Sequence, residues 1–251
     1  MGKVIAVAGK GGVGKTTIAA LIIRYLREQG MSPILAVDCD PNTNLNMLLD
    51  MKVEKTIGSI REGGKTERPS GMSLHDFLDY QINMALVEGD KIDLISMGRP
   101  EGKGCYCAAN NALRECLSRL SISYPWVVID NEAGLEHISR QTNRAVDVLM
   151  IISDPSVRGF TTAIRIKELV EELENKVGQC FLIINRYNGE LPDEWRGELK
   201  KVGLELAGIL PVEPLVGNYD LQGKPIIELL DTSLFYQELE GILARIIIGT
   251  G

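Results

Sequence analysis

Nine residues near the start of the chain, "GKGGVGKTT" from Gly9 to Thr17, restrict its possible folds more than anything that follows. They stand between the apolar, β-branched run "KVIAVA" and residues 15–29, whose apolar positions recur at helical spacing as far as Gly30. The pattern G-x-x-x-x-G-K-[ST], set between a strand and a helix, is a cradle for phosphate. Glycine lets the backbone wrap an anion so that successive N–H groups point at its oxygens. The helix N-terminus adds partial positive charge. The contacting set is Gly9, Gly11, Gly12, Val13, Gly14, Lys15, Thr16 and Thr17. Lys15 would neutralise the β- and γ-phosphates, and Thr16 would hold Mg²⁺ through its hydroxyl. The bland alternative, a glycine-rich turn with an incidental lysine, does not account for the whole pattern in this context.

The rest of the chain repeats the same rhythm. Short apolar runs "SPILAVD", "KIDLISMG", "PWVVID", "DVLMIIS", "QCFLIIN" and "LELAGILP" read as strands. Between them, residues 108–120 and 157–176 read as helices, and a last helix runs from about Leu234 to Ile248. Unbroken apolar strands alternating with helices predict an α/β fold: a mostly parallel sheet of about seven or eight strands, flanked by helices on both faces. Residues 50–90, which include the polar "REGGKTERPSG", read as an irregular excursion within one domain spanning 1–251. His75, in "SLHDFLD", reads as an ordinary helix residue. In such folds ligands sit at the carboxyl ends of the strands.

A loop that binds one phosphate chain needs one lysine at its end, yet Lys10 supplies a second near the beginning. Turned outward, it is either a solvated surface lysine or a cation that offsets charge on a facing subunit's phosphates. "KGGVGKTT" resembles the deviant Walker A signature of the dimeric ATPases that include MinD, ParA and the nitrogenase iron protein. Three further stretches are similar to parts of that family. They are "VDCDPNTNLN" (37–46, the first switch), "VVIDNEAGLEH" (127–137, Walker B and the second switch) and "IINRYN" (183–188, base recognition).

The resemblance implies a P-loop NTPase fold of the MinD-like (SIMIBI) type, an ATP-induced homodimer, and a Lys10 that crosses to the partner's nucleotide. It also implies slow hydrolysis of ATP to ADP and phosphate, used as a switch. Asp40, just past the second strand, would orient or deprotonate the attacking water, a role a carboxylate near a γ-phosphate can fill. Asp38 is expected to turn to the other side of the segment and support the Mg²⁺ shell. Asp130, ending an apolar strand, would act through magnesium-bound water. Gly134 fits the glycine whose N–H meets the γ-phosphate, although "DNEAG" departs from the commoner D-x-P-P-G. Asn185 would meet the adenine edge, and Pro211 and Val212, in "LPVEP", would flank the base.

Two thiols in "GCYCAANN" raise a separate question. Residues i and i+2 of an extended segment face the same way, so Cys105 and Cys107 can converge on one ion. Thiolates are soft ligands suited to Ni²⁺, Zn²⁺, Cu⁺ or an iron–sulfur cluster. One pair half-fills a four-coordinate site, and a second pair from a two-fold-related subunit completes it. Cys180 reads as strand core, Cys39 as part of the first switch loop, and Cys116 as part of the following helix. "GRPEGKGCYC" is similar to the segment in which the nitrogenase iron protein carries an interface cluster ligand, and Cys105 falls on that ligand. Where that enzyme has its other ligand this chain offers His137, which reads equally as a switch-loop histidine and departs from the [4Fe–4S] pattern. The C-x-C pair in this position, together with "DNEAGLEH", resembles the CooC group of ATPases. That likeness implies nickel (or zinc) bound at the dimer interface and carbon monoxide dehydrogenase as client.

Five cysteines in 251 residues suit a reducing cytosol better than a disulfide framework. A formal charge of −7 argues against nucleic acid or anionic lipid as partner. The closest candidate for a basic stretch, "WRGELKK", mixes signs, and "LFYQELEGILARIII" lacks the basic face of a membrane-seeking helix, so packing on the sheet is expected.

Overall fold

Val4 to Ala8 are all buried, and this run forms β1 (Lys3–Gly9), the strand around which the sheet is arranged. The computed structural model describes residues 2–59, 69–99, 120, 122–131, 146–172 and 177–248. The other described strands are β2 (Ile34–Asp38), β3 (Ile92–Ser96), β4 (Trp126–Asp130), β5 (Val146–Ser153), β6 (Val177–Ile184) and β7 (Glu205–Ile209). They form one parallel sheet in the order β3-β2-β4-β1-β5-β6-β7. Each of the seven apolar runs singled out above is a strand, as expected of buried parallel strands.

Period-two alternation divides the strand side chains between two cores. One face (Ile5, Val7, Ala36, Val128, Met150) packs against α1 (Lys15–Glu28) and α7 (Leu234–Leu243). The opposite face (Ala6, Ala8, Val37, Ile129, Ile151) packs against α3 (Leu74–Ala85), α4 (Val157–Glu172) and α5 (Asp193–Lys201). Two short helices, α2 (Leu45–Leu48) and α6 (Pro214–Leu221), and a 3-10 turn over Ile226–Glu228 are also described. The last helix continues through a π-type turn over Ala244–Ile248, close to the predicted span.

α1 is apolar nearly all round, with Ile18 through Leu26 buried, and Arg24 is the exception. Arg24 donates to Glu28 at 2.7 Å, to the Leu229 carbonyl and to Asp231, and lies 4.1 Å from the Tyr236 ring centre. Tyr236 in turn donates to Glu28 at 2.5 Å. This network ties α1 to α7.

Residues 50–90 are less irregular than their composition suggests, because twelve of them form α3. Ser73 caps that helix by accepting from the Asp76 N–H at 3.1 Å. Ile82 and Ala85 pack into the core on that face of the sheet, and Phe77 is also buried. His75 lies within it, in keeping with the sequence reading. The helix predicted over 108–120 falls, apart from Leu120, outside the described residues. "WRGELKK" belongs to α5, which carries Asp193 and Glu194 in its first turn and Lys200 and Lys201 in its last. That order complements the helix dipole, which accounts for the mixed signs.

Candidate functional site

Sheet register assembles the site. Val7 of β1 and Asp38 of β2 both pair with Asp130 of β4, while Gly9 pairs with Ile152 of β5. The carboxyl ends of four strands therefore meet where the loop leaves β1. Gly9, with φ 149, passes so close to β5 that a Cβ would collide with the Ile152 carbonyl. Gly11 and Gly12 are exposed, and Val13 is buried beneath them. Gly14 caps α1 at φ 91, and a Cβ there would stand 2.5 Å from Asn185 Nδ2. Its carbonyl accepts the Ile18 N–H at 3.1 Å, the first bond of the helix. Lys15 is buried and lays its Nζ back along the loop to the Lys10 carbonyl at 3.2 Å. Thr16 and Thr17 are half-buried in the first turn.

Asp38 and Asp130 share the sheet face that carries α1, since each lies an even number of residues from Ala36 or Val128. Both are buried. Burial pushes the Asp130 carboxyl up to about 7; the Thr16 hydrogen bond and Lys15 oppose the rise, while Asp38 and Asp40 add to it. Asp130 Oδ1 has no hydrogen-bond partner among the described residues. An orphaned carboxylate oxygen beside a threonine hydroxyl, among like charges, fits Mg²⁺, which takes few protein oxygens and completes its shell with water and phosphate. Among the described residues no group of three or more His, Cys, Asp or Glu side chains is arranged to hold a metal alone, so phosphate would supply the remaining oxygens.

Asp38 does not turn away as expected. It folds onto its own loop, where Oδ1 accepts the Asp40 N–H at 2.9 Å and Oδ2 the Leu45 N–H at 3.0 Å. Burial raises its carboxyl to about 6, and those backbone donors hold the rise in check. Its evident work is to shape residues 38–45, and that brings Asp40 round to the same side. Asp40 stays accessible, accepting from the Asn42 N–H at 2.7 Å.

Cys39 stands just past β2, at the start of the first switch loop as read. Alternation sends it to the opposite face, fully buried, and its N–H donates to the Asp130 carbonyl at 3.0 Å. Cys180, in β6, packs against the core but is only half-buried, and burial pushes its thiol up to about 11. Gly134, Cys105, Cys107, Cys116 and His137 lie outside the described residues.

Lys10 stands 4.0 Å from Asp154, both half-exposed. Asn185 Nδ2 donates to the Val13 carbonyl at 2.7 Å, and its buried Oδ1 has no partner among the described residues. Tyr187 N–H donates to the Leu210 carbonyl, and Leu210 N–H to the Ile184 carbonyl. Those bonds bring "IINRYN" alongside Pro211 and Val212, whose N–H donates to Asn188 at 2.9 Å.

Three participants went unread in the sequence. Asn131, buried, bonds the Val7 carbonyl through both its N–H and its Nδ2. Asp154 faces Lys10. Arg186 donates to the Gly12 carbonyl at 3.2 Å. Asn131 and Arg186 directly follow residues already singled out, and that adjacency was the one available signal.

The profile of the CobQ/CobB/MinD/ParA nucleotide-binding domain matches residues 4–226. An uncharacterized ATP-binding protein of Methanocaldococcus jannaschii is 45% identical over 97% of this chain and 98% of its own. The carbon monoxide dehydrogenase accessory protein CooC of Rhodospirillum rubrum is 34% identical over 67% of this chain and 69% of its own. Among solved structures, the septum site-determining protein MinD of Pyrococcus horikoshii, complexed with Mg-ADP, superposes with a TM-score of 0.71 at 20% identity, covering 100% and 98% of the two chains. With a phosphate loop built as described and a match running nearly the whole length, the chain belongs to the CobQ/CobB/MinD/ParA family of nucleotide-binding domains, and it is an ATPase.

Proposed function

We propose that this ATPase is a dimerising carrier of a soft divalent cation, nickel or zinc, which it holds between Cys105 and Cys107 of two protomers and passes to carbon monoxide dehydrogenase. The observation that carries the reading is a C-x-C pair in a chain that also has a complete phosphate loop with the second lysine. The relative whose name is carbon monoxide dehydrogenase accessory protein supports the client. Thiolates bind such ions strongly, and four hold one far more firmly than two.

In this reading ATP draws two protomers face to face, and Lys10 leaves Asp154 to offset charge on the partner's phosphates. Lys15, the loop N–H groups and the Gly134 N–H cradle the phosphates, and Asn185, Pro211 and Val212 bound the base. Mg²⁺ held by Thr16 and reached by Asp130 supplies charge neutralisation on the phosphate oxygens. Asp40 orients the water for attack, and Asp38 keeps the loop that carries Asp40 in place. Hydrolysis relaxes 38–46 and 130–138 and parts the two thiol pairs. The carrier works in a reducing cytoplasm, where its thiols stay free.

A membrane-positioning role is disfavoured because Phe235, Tyr236, Leu239, Ile242 and Leu243 of α7 are buried against the core. Metal analysis after gel filtration with a non-hydrolysable ATP analogue tests the proposal. One nickel per dimer is expected, lost in the Cys105→Ala, Cys107→Ala variant with folding intact. Unchanged nickel in that variant defeats the assignment.

A further inference from the structure

Arg186, two residues past the end of β6, has φ 61. This is the left-handed region, which a residue with a Cβ keeps only when its surroundings require it. The chain is fixed on both sides: Asn185 N–H donates to the Ser153 carbonyl at 2.7 Å and Tyr187 N–H to the Leu210 carbonyl at 3.0 Å. With its neighbours held, the unusual backbone returns the Arg186 side chain to the phosphate loop. Nη1 donates to the Gly12 carbonyl at 3.2 Å, and Nη2 stands 3.9 Å from where Gly14 would carry a Cβ. Beside it, Asn185 Nδ2 donates to the Val13 carbonyl at 2.7 Å. Two consecutive side chains thus hold two consecutive loop carbonyls.

In a trans peptide the C=O and the following N–H point in opposite directions. Drawing the Gly12 and Val13 carbonyls toward Arg186 and Asn185 therefore turns the N–H groups of Val13 and Gly14 the other way, into the cradle. The location of the cation points in the same direction. A guanidinium beside the N-terminus of α1 is opposed by the helix dipole until an anion occupies that end. This repulsion does not help the empty protein, and a bound phosphate offsets it.

We infer that Arg186 is a positioning residue of the nucleotide site: with Asn185 it presets the phosphate loop and adds to the positive field there, independently of the base. The inference rests on Gly9–Thr17 being the nucleotide site. Its test compares Arg186→Gly, Arg186→Lys and Lys15→Ala with the parent protein, measuring calorimetric affinity for ATP, GTP and inorganic tripolyphosphate together with the nucleotide-free Tm. Glycine adopts φ 61 without strain, so Arg186→Gly keeps or raises Tm while weakening all three ligands by a similar factor, roughly tenfold. Arg186→Lys recovers part of that loss. Weakening confined to ATP and GTP, with tripolyphosphate unaffected, assigns Arg186 to the base and overturns the inference. Unchanged affinities, or losses that only accompany a fallen Tm, overturn it as well. If Lys15→Ala also binds ATP normally, the loop assignment itself fails; if Lys15→Ala abolishes binding and Arg186→Gly does not, only the role of Arg186 fails.

Discussion

A buried carboxylate with an unpartnered oxygen destabilises the chain that carries it, and Asp130 does so at the centre of the site. Its carboxyl and that of Asp38, both raised from 3.8, to about 7 and about 6, bind protons more readily folded than unfolded. The nucleotide-free protein therefore loses stability from these two groups as pH rises from about 4 to about 7. Asp130→Asn should raise the nucleotide-free Tm at pH 8, at roughly 2–4 °C per kcal/mol, and abolish Mg²⁺-dependent hydrolysis. Thermal scans and phosphate release check both halves, and a lower Tm would show that the charge is better compensated than described. Gly14→Ala tests the loop in another way. The new methyl meets Asn185 Nδ2 at 2.5 Å on a backbone at φ 91, so nucleotide affinity should drop at least tenfold. At this scale the loop was fully legible, because its pattern states its own chemistry. The orientation of Asp38 was not, since it depends on N–H groups at Asp40 and Leu45 freed by a bend that no spacing reveals.

Elements were legible where packing and pattern coincide. Every β-branched run became a strand, because a strand buried on both faces is written as continuous apolar residues. Cys39 shows what the same geometry adds to a motif: one step from Asp38, it enters the opposite core. α3 was anticipated only at His75, and its extent was missed because polar neighbours obscured Phe77, Ile82 and Ala85, although Ser73 and Asp76 spell its cap. The tie between α1 and α7 was equally invisible, since it joins residues far apart in the chain. Arg24 is buried while Asp231 is exposed and Glu28 partly so, which discounts the ion pairs. Arg24→Ala should therefore lower stability by about 1–3 kcal/mol, read by urea unfolding, with nucleotide affinity nearly unchanged. With its apolar side packed on α1 and β7, α7 should not carry the protein onto anionic vesicles in the presence of ATP. No described helix is long and apolar enough to cross a membrane.

At the scale of the molecule, the sheet brings Lys10, Asp40, Asp130 and Thr16 to one end, leaving Lys10 and Asp154 half-exposed beside them. A half-exposed pair at 4.0 Å holds weakly, so Lys10 can be drawn away by a better anion. Lys10→Ala should suppress ATP-dependent dimerisation on gel filtration while sparing most nucleotide affinity. The thiol pair lies outside the described residues, so its arrangement must be measured directly. Nickel K-edge absorption of the protein closed with a non-hydrolysable ATP analogue counts the sulfurs around the ion. Four sulfurs per nickel, falling once ATP is hydrolysed, is the predicted result; a nickel surrounded by nitrogen and oxygen alone contradicts the account.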